Sequence, residues 1–284
     1  MQPLSRLDDL ESCPDDDGRA VIANDILEDV YQSKVSVEDV AKRLSSDSVD
    51  TRRAVAWILE ESGRRCASAA KYVLMGMRDS DSAVRTNCAK CLGWLEGQWL
   101  VPAMATLIFH LGDDFYVSSA AADSILMQLK YRGSDILHNL GSIDQYLTDN
   151  LGLPVPESTC ISAILRQEPT CGDASRGVSN DSQRLALVWA IMAIAAKPPL
   201  LAALTAGLQS KHESVAVLSA ERLGREIEAS CSNALKEALA SQSKPVALAL
   251  NHLAATMLQV GDDIQSTLKV DKNGEIGAFA GSGP

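Results

Sequence analysis

Apolar positions recur along this chain with the 3.6-residue spacing of amphipathic helices, and whole helices recur at a longer period. Similar helices begin at Thr51, Val84 and Val117, at a step of 33, and, after one diverged interval, at Gln183, Val215 and Val246, where the step shrinks to 32 and 31. Partner helices precede most of them, at 35–44, 66–77, 100–111, 198–208 and 231–240. Short polar turns such as SSDSVD and RDSDS join the partners and supply Ser and Asp side chains for N-caps. This step, the repeat period, predicts an array of stacked helix pairs.

One copy of this unit carries a family resemblance. The stretch DSDSAVRTNCAKCLGWLEG at 79–97 resembles a HEAT repeat, in which an Asp-bearing turn precedes Val-Arg, then small residues, then Leu-Gly. The resemblance implies an all-α fold, a right-handed α-solenoid of about six to seven HEAT-like helix pairs. It also implies ladders of Arg and Asp side chains between neighbouring repeats. Arg52, Arg85 and Arg184 share one register, and Asp81 and Asp114 share another.

Breaks in the pattern divide the chain into five predicted segments. They are an acidic N-terminal arm and capping helix at 1–34, HEAT-like repeats at 35–149, a divergent insertion at 150–182, further HEAT-like repeats at 183–270, and a flexible tail at 271–284. We expect the arm to be solvated as far as Gly18. The insertion has one short helical run, STCISAILRQ, and is either a functional loop or surface chain that the array tolerates.

Composition and charge narrow the choice of partner. Apolar residues make up 46% and aromatic residues 4% of the chain, which favours helices, and the net charge is −11. Residues 1–47 hold twelve acidic and five basic side chains, whereas residues 51–90 hold four acidic and eight basic ones. The overall acidity opposes nucleic-acid binding and suits a basic protein partner, although solubility alone is another reason for such a surplus.

Cysteine usage and hydropathy predict the compartment. The seven cysteines are odd in number and scattered, and no signal-peptide pattern opens the sequence, so we expect a cytoplasmic protein. The longest apolar run, LALVWAIMAIAA at 185–196, is too short for a membrane span, so we expect none. Trp189 lies in this run, and we expect it to be buried by the 150–182 insertion or by another subunit.

A Cys-x-x-Cys motif at Cys88 and Cys91 is the first candidate for chemistry. Both residues fall in the middle of a helix, within an apolar stripe that contains Val84, Leu92 and Leu95. A redox motif would begin a helix, and a structural zinc site would need further ligands. We therefore interpret the pair as core, and we predict no metal and no cofactor.

No catalytic constellation stands out elsewhere. The four histidines are isolated, at positions 110, 138, 212 and 252, and only His212-Glu213 resembles the His-Glu pairs of HEAT-type deoxyhypusine hydroxylases. The sequence has neither a Gly-rich phosphate loop nor a Gly-x-Ser-x-Gly elbow. We expect a non-enzymatic protein.

The candidate binding residues lie on the outward side of the predicted second helices. An exposed Trp flanked by Arg is typical of an interface hot spot, and Arg53, Trp57 and Arg64 lie opposite the core stripe of their helix. Packing of Trp57 under the N-terminal arm is the alternative. The predicted partner-binding residues are Arg53, Trp57, Arg64, Thr86, Lys90 and Asp123.

These features favour protein recognition by a helical array. The specific hypothesis is an immunity or antitoxin-type inhibitor that binds a toxic effector protein and blocks its active site, with acidity steering it to a basic partner. The alternatives are a scaffold or adaptor subunit, and a bilin-lyase-like protein that holds a small ligand near 150–182. Binding of DNA, as in HEAT-like alkyl-base glycosylases, is disfavoured by the net charge.

Overall fold

The computed structural model describes residues 5–167 and 170–230. Secondary structure in these two ranges is entirely helical, which confirms the predicted all-α class. Within them, no helix combines the length and the apolar character needed to cross a membrane. The chain divides into two compact units, unit 1 at Met1–Arg166 and unit 2 at Gln167–Pro284.

Unit 1 is built from successive helix pairs. Its helices are α1 (Ser5–Ser12), α2 (Asp16–Tyr31), α3 (Val37–Ala41), α4 (Val49–Glu61), α5 (Ala70–Gly76), α6 (Ser82–Leu92), α7 (Leu100–His110), α8 (Phe115–His138), α9 (Leu140–Asp149) and α10 (Val155–Arg166). Short 3₁₀ turns occupy Lys42–Ser45, Gly63–Ala69 and Gly97–Trp99. The second helices of the pairs pack side by side, α2 on α4, α4 on α6 and α6 on α8, while α7 packs on α8 and α9.

The helix starts in this layer follow the repeat period. The side chains of Asp15, Ser48, Asp81 and Asp114 each accept a hydrogen bond from the backbone amide three residues further on. Such caps satisfy amides that have no partner inside the helix. Because Ser48, Asp81 and Asp114 follow Asp15 at successive repeat periods, the regular array begins one repeat earlier than Thr51.

The core lies where the sequence pattern predicts it. In α4, the stripe of Thr51, Val55, Ile58 and Leu59 is completely buried. The corresponding stripe of α6 and the turn after it is also completely buried, and it consists of Val84, Cys88, Cys91, Leu92 and Leu95. These stripes join the second helices to the first helices of the same repeats, as in other helix-pair arrays.

The N-terminal residues differ from the predicted solvated arm, because Ser5–Ser12 is a helix. Leu7 and Leu10, three residues apart on one side of α1, are 2% and 0% exposed. Acidic side chains on the adjacent side also anchor the helix, since Asp8 and Glu11 bind Arg43 at 2.6 and 2.8 Å. Asp8 and Glu11 thus belong to the first helix of a further repeat, formed by α1 and α2.

A single substitution in the pattern conceals this terminal repeat from sequence comparison. Asp25 of α2 occupies the register of Ile58 and Cys91, both of which are buried. Its own side chain is 50% exposed, since α2 has a neighbouring second helix, α4, on one side only. A polar outer surface is what a terminal repeat needs for solubility, and it interrupts the apolar stripe that identifies the inner repeats.

The segment 150–182 contains two helices rather than one short helical run. Val155–Arg166 forms α10, which packs on α9 within unit 1. Cys171–Gly177 forms α11, with the side chain of Thr170 as its N-cap, and belongs to unit 2. The apolar pattern does not predict α11, because its sequence, CGDASRG, is rich in Gly, Ser and charged residues.

Unit 2, as far as the structure describes it, contains two helix pairs. They are α11 with α12 (Gln183–Ala195), and α13 (Leu201–Gly207) with α14 (Glu213–Ser230). The interval from the start of α11 to that of α13 equals the interval from α12 to α14. A Cβ atom added to Gly177 would lie 2.2 Å from the ring of Trp189, so this indole packs directly on α11. The helices predicted at 231–240 and 246–256, and the tail at 271–284, lie outside the described residues.

Candidate partner-binding surface

Five of the six predicted binding residues lie on one side of the second helices of unit 1, whereas Arg64, predicted on the same helix as Trp57, lies in the 3₁₀ turn Gly63–Ala69 after α4. Arg53 and Trp57 lie on α4, Thr86 and Lys90 on α6, and Asp123 on α8. One repeat period separates Arg53 from Thr86, Trp57 from Lys90, and Lys90 from Asp123. Since α4, α6 and α8 pack side by side, these five residues define a continuous surface, which we call the second-helix face.

This face extends to residues that the sequence analysis did not select. Residues separated by the repeat period form rows across the second helices. The row of Trp57, Lys90 and Asp123 also includes Asn24, on α2. The row four residues further along the chain holds Glu28, Glu61, Trp94 and Met127. Each of these side chains is exposed or half-buried. The regular exposure of one register in four consecutive second helices shows that the face is a property of the repeat.

Arg53 is bound within the protein, although its side chain is 51% exposed. Its guanidinium donates to the Asp81 carboxylate at 2.6 and 3.0 Å and lies 3.4 Å from Asp50. The hydrogen bond to Asp81 is the main cause of the raised pKa of Arg53, and the same bond lowers the pKa of Asp81. Arg53 therefore connects α4 to the N-cap of α6 and is less available to a partner than its exposure indicates.

Lys90 and Thr86 differ in what they offer a partner. Lys90 Nζ lies 3.5 Å from Glu60 Oε1, and its side chain is 47% exposed. An exposed ion pair of this kind contributes little stability, so the ammonium group can exchange its partner at small cost. Thr86 Oγ1 donates to the carbonyl of Ser82 at 2.8 Å, so its proton is used inside the helix.

The aromatic residues give this surface its apolar area. Trp57 is half-buried on α4, so part of its indole is accessible. The Arg64 guanidinium lies 5.7 Å from the ring centre of Trp94, a cation–π contact that joins the end of one repeat to the next. Trp94 follows Glu61 by one repeat period and was missed because the Leu-Gly-Trp run reads as repeat consensus.

Arg52 and Arg85 form a ladder in unit 1, as predicted, but their main partners are Asp79 and Asp113, while the predicted Asp81 and Asp114 cap α6 and α8. Arg52 donates to both carboxylate oxygens of Asp79, in the turn of the next repeat, at 2.6 and 3.1 Å. Arg85 binds both oxygens of Asp113 in the same way at 2.8 and 2.9 Å. Two parallel bonds between a guanidinium and a carboxylate fix orientation as well as distance. These four residues hold neighbouring repeats in register, so their role is structural.

The terminal repeat carries the Arg of this ladder as well. Arg19 precedes Arg52 by one repeat period and donates to the carbonyl of Cys13 at 2.6 Å. Arg52 makes the equivalent bond to the carbonyl of Ser46 at 3.0 Å. Ser46 occupies the position of Asp79 in the first turn, and Nε of Arg19 is buried without a hydrogen-bond partner. Arg19 therefore lacks the two parallel hydrogen bonds to a carboxylate of the next turn that Arg52 and Arg85 make.

The cysteine pair is part of the core, as the helical stripe predicts. Cys66, Cys88 and Cys91 are all completely buried. Burial raises the pKa of the Cys88 thiol, and the neighbouring Cys66 thiol and burial raise the pKa of Cys91, so both stay protonated and unreactive. Gly76 permits this packing, because a Cβ atom there would lie 2.5 Å from Cys88 Sγ. Among residues 5–167 and 170–230, no group of three or more His, Cys, Asp or Glu side chains is placed to hold a metal ion.

The histidines in the described ranges contact the turns. His110 Nδ1 lies 3.0 Å from Asp113 Oδ2, and His212 Nε2 lies 3.1 Å from the carbonyl oxygen of Asn180. His138 lies at the exposed C-terminal end of α8, and His252 is outside the described residues. None of these arrangements resembles a His-Glu metal site.

The positive charge of residues 51–90 is largely neutralised locally. Five of its cations pair with carboxylates: Arg52 with Asp79, Arg53 with Asp81, Lys71 with Glu38, Arg85 with Asp113, and Lys90 with Glu60. Arg64 and Arg65 keep their charge but lie over the rings of Trp94 and Tyr31. Phosphate binding requires cations that can exchange their partners for the backbone of a nucleic acid. This segment therefore does not form an open basic surface.

Comparison with known proteins agrees with the geometry. Residues 37–125 match the family model for HEAT repeats. A search of curated proteins found no match. The repeat match and the helical structure together show a HEAT-like repeat protein, and such repeats are typical of protein-interaction modules.

Proposed function

We propose that this chain is a non-enzymatic protein-binding module and that the second-helix face contacts its partner. The main support is the regular exposure of one register across α2, α4, α6 and α8, which presents Trp57, Lys90 and Asp123 side by side. A face of this width allows many modest contacts around a few aromatic anchors, which is how repeat proteins bind other proteins. The right-handed coil and the count of six to seven helix pairs are part of this proposal.

The more specific proposal is an immunity or antitoxin-type inhibitor that covers the active site of a basic effector protein. Its support is the net charge of −11 and the position of exposed carboxylates along the face, at Glu28, Glu61 and Asp123. Complementary charge accelerates association with a basic partner and disfavours acidic ones. We place this activity in the cytoplasm, where a reducing environment suits the free Cys66, Cys88 and Cys91 thiols.

The experiment that tests the proposal is affinity capture from lysate followed by mass spectrometry and binding measurements. Trp57→Ala and Lys90→Glu should each weaken binding of the captured protein at least about tenfold, because they remove an anchor and reverse an exposed charge. Met75→Ser is the matched control, since Met75 is 64% exposed on α5, in the other helix layer.

The outcomes separate the candidate roles. A stoichiometric basic enzyme that loses activity when bound supports the inhibitor, whereas subunits of one larger assembly support a scaffold. Binding that is unaffected by Trp57→Ala and Lys90→Glu but is lost with Met75→Ser would contradict the choice of face.

A further inference from the structure

A second surface of unit 1 has the composition of a small binding cleft. The cleft has a volume of about 440 Å³ and lies where the turn after α5, the end of α7 and the turn after α9 meet. It is lined by Met77, Arg78, Asp79, Arg85, Phe109, His110, Asn150 and Leu151. It is therefore located at the turns of the repeats and does not include any residue of the second-helix face.

Two of the basic groups in the cleft are already bound. Arg85 contacts both carboxylate oxygens of Asp113, one oxygen of Asp114, and the backbone carbonyls of Asp79 and Ser80. His110 Nδ1 lies 3.0 Å from Asp113. The carboxylate that lines the cleft, that of Asp79, is bound by Arg52. The charges of Arg85 and Asp79 are thus compensated within the protein, and Arg78 supplies the remaining charge of the cleft.

Arg78 is exposed and makes no ion pair or hydrogen bond through its side chain with any residue in 5–167 or 170–230. It is not a member of the ladder, because the positions one repeat period before and after it are Ser45 and Leu111. The repeat architecture therefore does not require an arginine here. A planar guanidinium is well suited to bind a carboxylate through two parallel hydrogen bonds.

A second cleft, near the N-terminus, also contains cations, but these are paired within the protein. That cleft, of about 400 Å³, is lined in part by Lys42 and Arg43. Lys42 binds Asp39 at 2.6 Å, and Arg43 binds Asp8 and Glu11. Both of its cations are neutralised by the protein itself, unlike Arg78.

The remaining walls of the Arg78 cleft favour an apolar group next to the anion. Phe109 and Leu151 are half-buried, so both present apolar atoms at the cleft, whereas Met77 is completely buried in its wall. The Asn150 carboxamide adds N–H donors at the rim. We propose that this cleft binds a carboxylate that neighbours an apolar side chain in a partner polypeptide, with Arg78 as the anion-binding group.

The carboxylate has two possible sources, a Glu or Asp side chain and a free C-terminus, and a set of acetylated peptides distinguishes them. Ac-Leu-Glu-Leu-NH₂ carries only the side-chain carboxylate, Ac-Leu-Gln-Leu-OH only the terminal one, and Ac-Leu-Gln-Leu-NH₂ neither. Each peptide is titrated to about 5 mM into the full-length ¹⁵N-labelled chain, a range suited to the weak affinity of a single anchor. The signals followed are Arg78 Nε–H and the Asn150 carboxamide.

We expect saturable shifts of these signals with at least one carboxylate peptide, and binding about tenfold weaker in Arg78→Gln. Lys71→Gln is the matched control, since it removes an exposed cation of α5 that does not line the cleft and should leave binding unchanged. Equal binding of all three peptides, no shift with either carboxylate peptide, or unaltered binding in Arg78→Gln would overturn the proposal. These outcomes do not depend on whether the second-helix face binds its partner.

Discussion

Unit 1 and unit 2 both stack helix pairs, and each has an ion pair between neighbouring turns that can be compared with the other. In unit 1, Arg52 reaches forward to Asp79 of the next repeat, and the two side chains are only 15% and 9% exposed. In unit 2, Lys211 reaches back to Asp181, and these side chains are 56% and 97% exposed. The buried, two-pronged contact fixes the spacing of repeats, whereas the exposed pair adds little to it.

The second helices of the two units also differ in how much of their surface is polar and exposed. The second helices of unit 1 are amphipathic, with a regular polar row on the second-helix face. In α12 of unit 2, most side chains between Ala186 and Ile194 are buried, and Trp189 packs on Gly177. Unit 1 therefore combines an internal ladder with an open face, while the described part of unit 2 depends more on close apolar packing.

The largest expected effect comes from breaking the ladder. Asp79→Ala should lower the free energy of unfolding of unit 1 by about 2 to 4 kcal/mol, because it leaves the guanidinium of Arg52 half-enclosed without its counter-charge. Asp181→Ala should change stability by less than about 0.5 kcal/mol.

Urea denaturation in a Trp189→Phe background measures this difference, since Trp57, Trp94 and Trp99 then report on unit 1 alone. A background with Trp57→Phe, Trp94→Phe and Trp99→Phe leaves Trp189 to report on Asp181→Ala. Equal losses for Asp79→Ala and Asp181→Ala would show that the exposed and the buried links contribute alike, contrary to the comparison.

The next effect tests the dependence of unit 2 on close packing. Gly177→Ala should cost about 1 to 3 kcal/mol, because the added methyl meets the rigid ring of Trp189. Gly76→Ala in unit 1 meets Cys88 Sγ instead, and the additional change Cys88→Ala should restore part of the lost stability. Thermal unfolding followed by circular dichroism checks both variants, and a Gly177→Ala chain as stable as the original would refute the packing argument.

The smallest effect separates charge from capping at Asp81. Asp81→Asn keeps a side chain that caps α6 but loses the ion pair with Arg53, so we expect a loss of at most about 1 kcal/mol at pH 7. Arg53 lowers the pKa of Asp81 in the folded state, so the contribution of the pair is present above the unfolded pKa of about 3.9 and disappears as pH falls through the folded value.

Urea denaturation at neutral pH and near pH 3 checks this linkage. The difference between the original chain and Asp81→Asn should shrink on acidification. A difference that stays constant or grows with acid would mean that the charge of Asp81 does not stabilise the fold.

Local repetition explains which features could be predicted from sequence. The stripe around Val55 and Ile58 and the ladder arginines recur with the repeat period, so each copy supports the interpretation of the others. The terminal repeat was missed because Asp25 stands where the inner repeats have an apolar residue. The partners of Arg53 and the unpaired state of Arg78 depend on contacts between turns of different repeats, which a periodic pattern does not specify.

The central claim is that the second-helix face contacts the partner, and hydroxyl-radical footprinting of the bound complex tests it most directly. Trp57 and Trp94 report on this face, and Met75, on α5, reports on the other helix layer. The account predicts slower oxidation of Trp57 and Trp94 in the complex, with Met75 unchanged. Protection of Met75 with no change at Trp57 and Trp94 would contradict it.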